Sequence, residues 1–309
     1  MESVYSVLVV IGLITFEIVT SIDNVVINVD ILSSMKEWAR RWFLIWGSII
    51  AIFGIRGVLP WFIIWFSVPS LGPIAALTVT LSNDTYTLTA LHQSAPYLHL
   101  AGGIFMIFLF LHWFLVEKKY CSTSSNPSRI QQDSIIIFYA VTTIILSLIC
   151  YATIKINALL TIATIGGTTI FFIVQWLQRF AGKKSNELEN NTSTKSDISK
   201  LILLEVIDAT FSIDSVIGAF AFTMSIPLIL IGTGIGAMIV REFTIKSINI
   251  IKDYIYIKSA AMYSIGILGL IMCGEGFNLG IPIWFAPLLT IGIVAICIGI
   301  SLQKIKKGN

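Results

Sequence analysis

Phe16-Glu17-Ile18-Val19-Thr20-Ser21-Ile22-Asp23-Asn24-Val25-Val26-Ile27-Asn28 sets two carboxylates inside an apolar stretch that runs from Val4 to Leu32. A helix needs about 20 predominantly apolar residues to cross a bilayer, and this stretch is long enough. Acids are expensive in hydrocarbon and persist there when they face a cavity, a partner or an ion path. The pattern also occurs twice. Residues 204–218 read Leu-Glu-Val-Ile-Asp-Ala-Thr-Phe-Ser-Ile-Asp-Ser-Val-Ile-Gly. Laying Ser21-Ile22-Asp23-Asn24 on Ser212-Ile213-Asp214-Ser215 also lays Glu17 on Asp208.

Working outward, 56% of the 309 residues are hydrophobic and 12% are charged, whereas a soluble protein is roughly a quarter charged. The composition predicts an all-α membrane protein. Apolar stretches at 4–32, 42–66, 97–116, 134–154, 156–178, 199–223, 226–247, 259–274 and 282–303 give about nine transmembrane helices. The turn at 154–156 is short enough that the fourth and fifth stretches also fit one re-entrant pair. Cys121, Cys150, Cys273 and Cys297 form no CxxC pair, so neither a disulfide framework nor a zinc site is expected. With Glu2 and no basic n-region, the first stretch is not expected to be a secretory signal peptide.

Basic residues alternate between the connections. Lys36, Arg40 and Arg41 follow the first stretch, none lies in 67–96, and Lys118, Lys119 and Arg129 follow the third. Lys183, Lys184, Lys195 and Lys200 precede the sixth, and Lys304, Lys306 and Lys307 end the chain. The positive-inside rule then predicts an outer N-terminus and a cytoplasmic C-terminus, in a prokaryotic inner membrane by default. The first and sixth stretches consequently run in opposite directions. The expected organisation is one membrane domain containing an inverted-topology repeat. Spans 1–3 (about 4–116) are set against spans 6–8 (about 199–275), with a polar, flexible cytoplasmic loop at 181–198 between the halves. Inverted repeats of this kind place a binding site near the bilayer midplane.

A helix turns about 100° per residue, so Glu17, Ser21, Asn24 and Asn28 share a face, whereas Asp23 lies some 120° from Glu17. Asp214 stands likewise to Asp208. Either the helix unwinds near Ser21-Ile22-Asp23, as half-helices do in transporters, or each acid serves a different step. Carboxylates with hydroxyl and amide oxygens suit a hard divalent cation such as Mn²⁺, Mg²⁺ or Ca²⁺. The candidate metal residues are therefore Glu17, Asp23, Asn24, Asp208, Asp214 and Ser215, with Thr20, Ser21 and Ser212 behind them and Glu205 and Glu275 as weaker candidates. His92, His99 and His112 form no cluster. The bland alternative is that the acids pair with Arg56 and Arg241 and only fix helix packing, as buried polar groups do in membrane bundles. Gly54-Ile55-Arg56 corresponds loosely to the Gly236–Arg241 segment, with about six residues fewer before it. Glycines 102, 103, 232, 234 and 236 are expected to allow close helix approach.

The paired segments Phe16–Asn24 and Glu205–Ser215 resemble the two signature stretches of TerC-like integral membrane proteins. Trp42–Pro60 and Gly218–Arg241 look like a branch of that family carried as an uncharacterised domain. The resemblance extends over most of the chain. It implies a fold shared with LysE-type transporters, relatives that export Mn²⁺, and a metal role for the acids at 17, 23, 208 and 214. Ser215 stands where the first copy has Asn24.

The expected function is thus a secondary transporter exporting a divalent cation, Mn²⁺ first, with protons as the exchange ion. The metal is cargo rather than a resident cofactor, no cofactor is expected, and the bilayer rather than nucleic acid is the expected surrounding. With no Walker A sequence, HExxH or Gly-x-Ser-x-Gly, neither ATP-driven transport nor enzymatic activity is expected. The alternatives are a Ca²⁺ or Mg²⁺ transporter of the same build and a non-transporting membrane chaperone or assembly factor.

Overall fold

The computed structural model describes residues 2–21, 25, 31–32, 35–68, 72–78, 85–117, 127–190, 197–246 and 257–308. These residues are helical, with no strands among them. α1 spans Glu2–Thr20 and α2 spans Glu37–Trp42. α2 continues through π-helical turns at Phe43–Gly47 and Ile50–Ile55 into α3, Arg56–Ser67. The π turns lie just before Pro60, which lacks the N–H that would bond the Arg56 carbonyl. π turns inside a helix are frequent at functional sites.

A short α4, Pro73–Thr78, follows, and its first carbonyl accepts a hydrogen bond from Trp61 Nε1 at 2.7 Å. α5 spans Thr85–His112 and ends in a π turn at Trp113–Glu117. Then come α6 (Pro127–Ile154), α7 (Ala158–Asn190), α8 (Asp197–Ala219), α9 (Ile226–Lys246), α10 (Ile257–Gly276) and α11 (Phe285–Gly308). The region 181–190, expected as part of a flexible loop, continues α7, in keeping with its strong helix formers Lys, Glu and Leu. Of the rest of that expected loop, 197–198 begin α8 and 191–196 lie outside the described residues.

Among the described residues, five helices are long and apolar enough to cross a membrane by length and composition: Glu37–Phe66, His92–Glu117, Asp133–Ile154, Ala158–Phe180 and Lys258–Gly276. α6 and α7 are two such helices, joined tightly. The Thr153 carbonyl accepts from the N–H groups of Ile156 and Asn157, and Asn157 Oδ1 caps the Leu159 N–H at 2.9 Å. Two full helices stand where a re-entrant pair remained open. The exposed faces point to lipid. Ile136, Ile144, Leu148 and Tyr151 on α6 all lie on the surface, and 11% of that helix's membrane-length window is buried within the protein. An apolar surface of that extent is foreign to water-soluble monomers. The window in α10 is 67% buried and that in α5 56%, which makes these two the centre of the bundle.

Small residues set how closely the helices meet. A Cβ at Gly103 of α5 would stand 2.7 Å from the Cys273 nitrogen of α10. One at Gly232 of α9 would stand 2.5 Å from Leu13 Cβ of α1. At Gly167 it would overlap the Ala101 carbonyl, so α7 lies on the α5 backbone itself. Around these contacts Phe105, Phe108 and Phe171 pack edge to face, with Phe16 and Phe220 in the same core. Gly167→Ala is therefore expected to cost about 1–3 kcal/mol, the usual range for an overpacked interior. Thermal melting in detergent tests this, and an unchanged midpoint would mean that α7 parts from α5 freely.

Candidate functional site

Glu17 is fully buried near the end of α1. Its Oε1 accepts from Arg56 at 2.6 Å and from the Ser21 hydroxyl at 2.9 Å, while Oε2 has no hydrogen-bond partner among the described residues. Ser21 thus lies on the Glu17 face, as a spacing of four residues predicts. Arg56, at the junction of the second π turn and α3, is also buried and, among the described residues, otherwise bonds only the Ala51 carbonyl, at 3.5 Å. Its Nε is unpaired.

The second copy has the same arrangement. Asp208 of α8 accepts from Arg241 of α9 at 2.5 Å, and both residues are buried. Acid and arginine are 39 residues apart in the first copy and 33 in the second. That gap matches the offset seen in the sequence. Arg241 is better supported than Arg56. It donates to the Phe43 carbonyl at 2.8 Å and the Ser48 hydroxyl at 3.2 Å, and its guanidinium lies 4.4 Å from the centre of the Phe43 ring. Arginine over an aromatic face is favourable.

Glu205, one turn before Asp208, approaches Arg241 to 3.9 Å, and both its carboxylate oxygens are buried without a hydrogen bond. Arg56 lies within electrostatic reach of Asp208 and Glu205 as well as Glu17. Asp208 and Glu205 thus share Arg241, and the Glu17–Arg56 pair lies within electrostatic reach of both. The backbone makes room for these groups. A Cβ at Gly236 would stand 2.6 Å from Glu17 Cβ, and one at Gly47 would run into the Glu205 carboxylate and stand 2.9 Å from Arg241.

Asp214 lies elsewhere. α8 is unbroken from Asp197 to Ala219, so no unwinding separates the two acids of this copy. Asp208 turns to α9, and Asp214, six residues on, turns to α7. There Gln178 Nε2 donates to Asp214 Oδ2 at 2.8 Å, while Oδ1 is buried and unpaired. Gln178 was not singled out in the sequence, where its only signal is an amide at the end of an apolar stretch. The smaller polar residues mostly serve their own helices. Ser215 donates to the Ser212 carbonyl at 3.0 Å, Ser212 to Asp208 at 2.6 Å and Thr20 to Phe16 at 2.9 Å.

Glu275 accepts from the Ile281 N–H and so fastens the loop after α10. His112 lies 3.5 Å from Glu117 and 3.4 Å from Arg179, away from the acid cluster. Asp23 and Asn24, both named as candidate ligands, lie outside the described residues. Among the described residues no three His, Cys, Asp or Glu side chains converge to hold a metal. Glu17 and Asp208 are engaged by arginine instead.

A family model described as "Protein of unknown function (DUF475)" matches residues 22–307. Over 82 residues the chain is 30% identical to a Bacillus subtilis (strain 168) protein described as "Uncharacterized membrane protein YceF", a match covering 26% of this chain and 32% of that protein's length. No solved structure matches.

Proposed function

We propose that this chain, which belongs to the DUF475 family of proteins of unknown function, is a secondary transporter that exports a divalent metal cation. Mn²⁺ is the first candidate, and Ca²⁺ or Mg²⁺ is the alternative cargo. The observation that carries the reading is the twinned pair Glu17–Arg56 and Asp208–Arg241 beside Glu205, which stands 3.9 Å from Arg241 with no hydrogen bond to either oxygen among the described residues. Three acids against two bases leave a net negative centre when all are ionised, which suits a cation and repels an oxyanion. The unused oxygens of Glu17, Glu205 and Asp214 are hard donors. Matching pairs in two parts of one chain fit the inverted repeat, in which spans 1–3 face spans 6–8 among about nine crossings. The likeness to TerC-like proteins and the membrane-protein description of the Bacillus relative point the same way. The N-terminus is placed outside and the C-terminus in the cytoplasm.

A second reading has the ion pairs themselves in its favour. Glu17 and Asp208 then only pin helices together, in a non-transporting chaperone or assembly factor. The surplus carboxylate counts against it, because a packing device has no use for an extra acid whose oxygens lack hydrogen bonds and whose arginine already serves Asp208. Purified protein in liposomes decides between the two. Uptake of Mn²⁺ against a control without protein is expected, and a deletion strain should hold more Mn²⁺ than its parent when grown in excess Mn²⁺. Absence of flux for Mn²⁺, Ca²⁺ and Mg²⁺ alike, together with a stable partner in pull-downs, would establish the assembly role instead.

A further inference from the structure

α7 reaches the end of its membrane-length window, Ala158–Phe180, at Arg179, and a cavity of about 200 Å³ lies there between α6 and α7. Phe138 and Phe171 line it and are buried, whereas Tyr139, Phe172 and Trp176 line it and are exposed. The cavity thus has an aromatic floor and opens on the lipid-facing side of both helices. Its volume is below the roughly 300–1,000 Å³ of pockets that enclose a small ligand. It suits part of a larger molecule whose remainder lies in the bilayer.

The polar side of the cavity is built into the fold. His112, with its side chain 10% exposed, lines it from the end of α5, and the π turn that follows brings Val116 to the same wall. Arg179 donates to His112 Nε2 at 3.4 Å, and His112 Nδ1 faces Glu117 at 3.5 Å. Glu117 is answered in turn by Lys258, at 3.3 Å. Among the described residues no carboxylate pairs with Arg179, so its guanidinium keeps most of a donor fork that fits a phosphate. Phe172, Trp176 and Arg179 (i, i+4, i+7) also share one face of α7, which puts the charge at the membrane surface and the rings below it.

We infer that this cavity holds an anionic phospholipid: Arg179 takes the headgroup phosphate, and part of an acyl chain lies against Trp176, Phe172 and Tyr139. Basic pockets between membrane helices are suited to such headgroups. The lipid would also join α6 to the bundle, where 11% of that helix's membrane-length window is buried within the protein.

The full chain in phosphatidylcholine vesicles with a minor share of brominated-chain phosphatidylglycerol tests this, because bromine quenches an indole that it touches. The Trp176 signal is the difference between wild type and Trp176→Phe. Its quenching by brominated phosphatidylglycerol is expected to exceed that by brominated phosphatidylcholine at the same share. Arg179→Gln should lower the relative affinity for phosphatidylglycerol about fivefold, the contribution of one basic residue at an anionic surface. Arg41→Gln, which removes the same charge from an exposed residue of α2, should leave the Trp176 signal unchanged. An equal fall in both variants would reduce the preference to general charge attraction and overturn the site. Equal quenching of the wild type by the two lipids would overturn it without any substitution at Arg179. Inorganic phosphate in excess should not relieve the quenching; relief would make this a site for the free anion and end the lipid assignment.

Discussion

Glu17→Ala is expected to destabilise the protein by about 3–5 kcal/mol, the range for stripping one partner from a buried ion pair. Asp208→Ala should cost less, about 1–3 kcal/mol, as for losing one charged hydrogen bond. Which arginine is left behind decides the order. Among the described residues, Arg56 without Glu17 keeps one long hydrogen bond to the Ala51 carbonyl, the more distant charges of Asp208 and Glu205 and an unpaired Nε in a fully enclosed place. Arg241 without Asp208 keeps two acceptors, an aromatic face and a nearby carboxylate. The two copies match in sequence position, but their backing differs. Unfolding in mixed micelles with rising SDS fraction measures both. Equal losses, or a larger one at Asp208, would show that the contacts of Arg241 provide no reserve. The double variant Glu17→Ala/Arg56→Ala should recover part of the loss, because it removes the stranded charge.

The sequence made the helices legible because hydrocarbon leaves the backbone few other choices. Within the described residues a helix lies along at least part of each apolar stretch, though five are long and apolar enough to cross a membrane, and the Glu17–Ser21 face follows from helical spacing alone. The sequence also raised Arg56 and Arg241 as partners of the acids, and the structure pairs them. What it did not disclose depends on contacts between distant segments. Nothing in Phe43–Gly47 or Ile50–Ile55 marks π winding, yet Gly47 and Arg56 meet the cluster from that stretch. Gln178 reaches Asp214 from another helix, and no local pattern announces a partner 36 residues away. The unwinding expected near Ser21-Ile22-Asp23 falls mostly outside the described residues, while in the second copy α8 runs unbroken. Asp208 and Asp214 face different neighbours.

That separation makes Asp214 the sharper test of transport. Asp214→Asn should abolish pH-driven Mn²⁺ flux in proteoliposomes while leaving the fold in place. The substitution keeps the side-chain shape and an oxygen for the Gln178 amide, and among the described residues no arginine depends on this carboxylate. It removes the negative charge and little else. The charge matters because exporting a divalent cation against an inside-negative potential costs roughly 4.6 kcal/mol per 100 mV, twice the single-charge figure. Inward-moving protons are the proposed offset. Glu17 and Asp208 are held by guanidinium groups, whereas Asp214 has a buried oxygen with no partner and is the acid best placed to exchange a proton for metal. The sequence match assigns the same part to Asp23, so Asp23→Asn should behave alike. Flux that survives both substitutions would confine Asp214 to joining α8 to α7 and leave the proton coupling without a carrier.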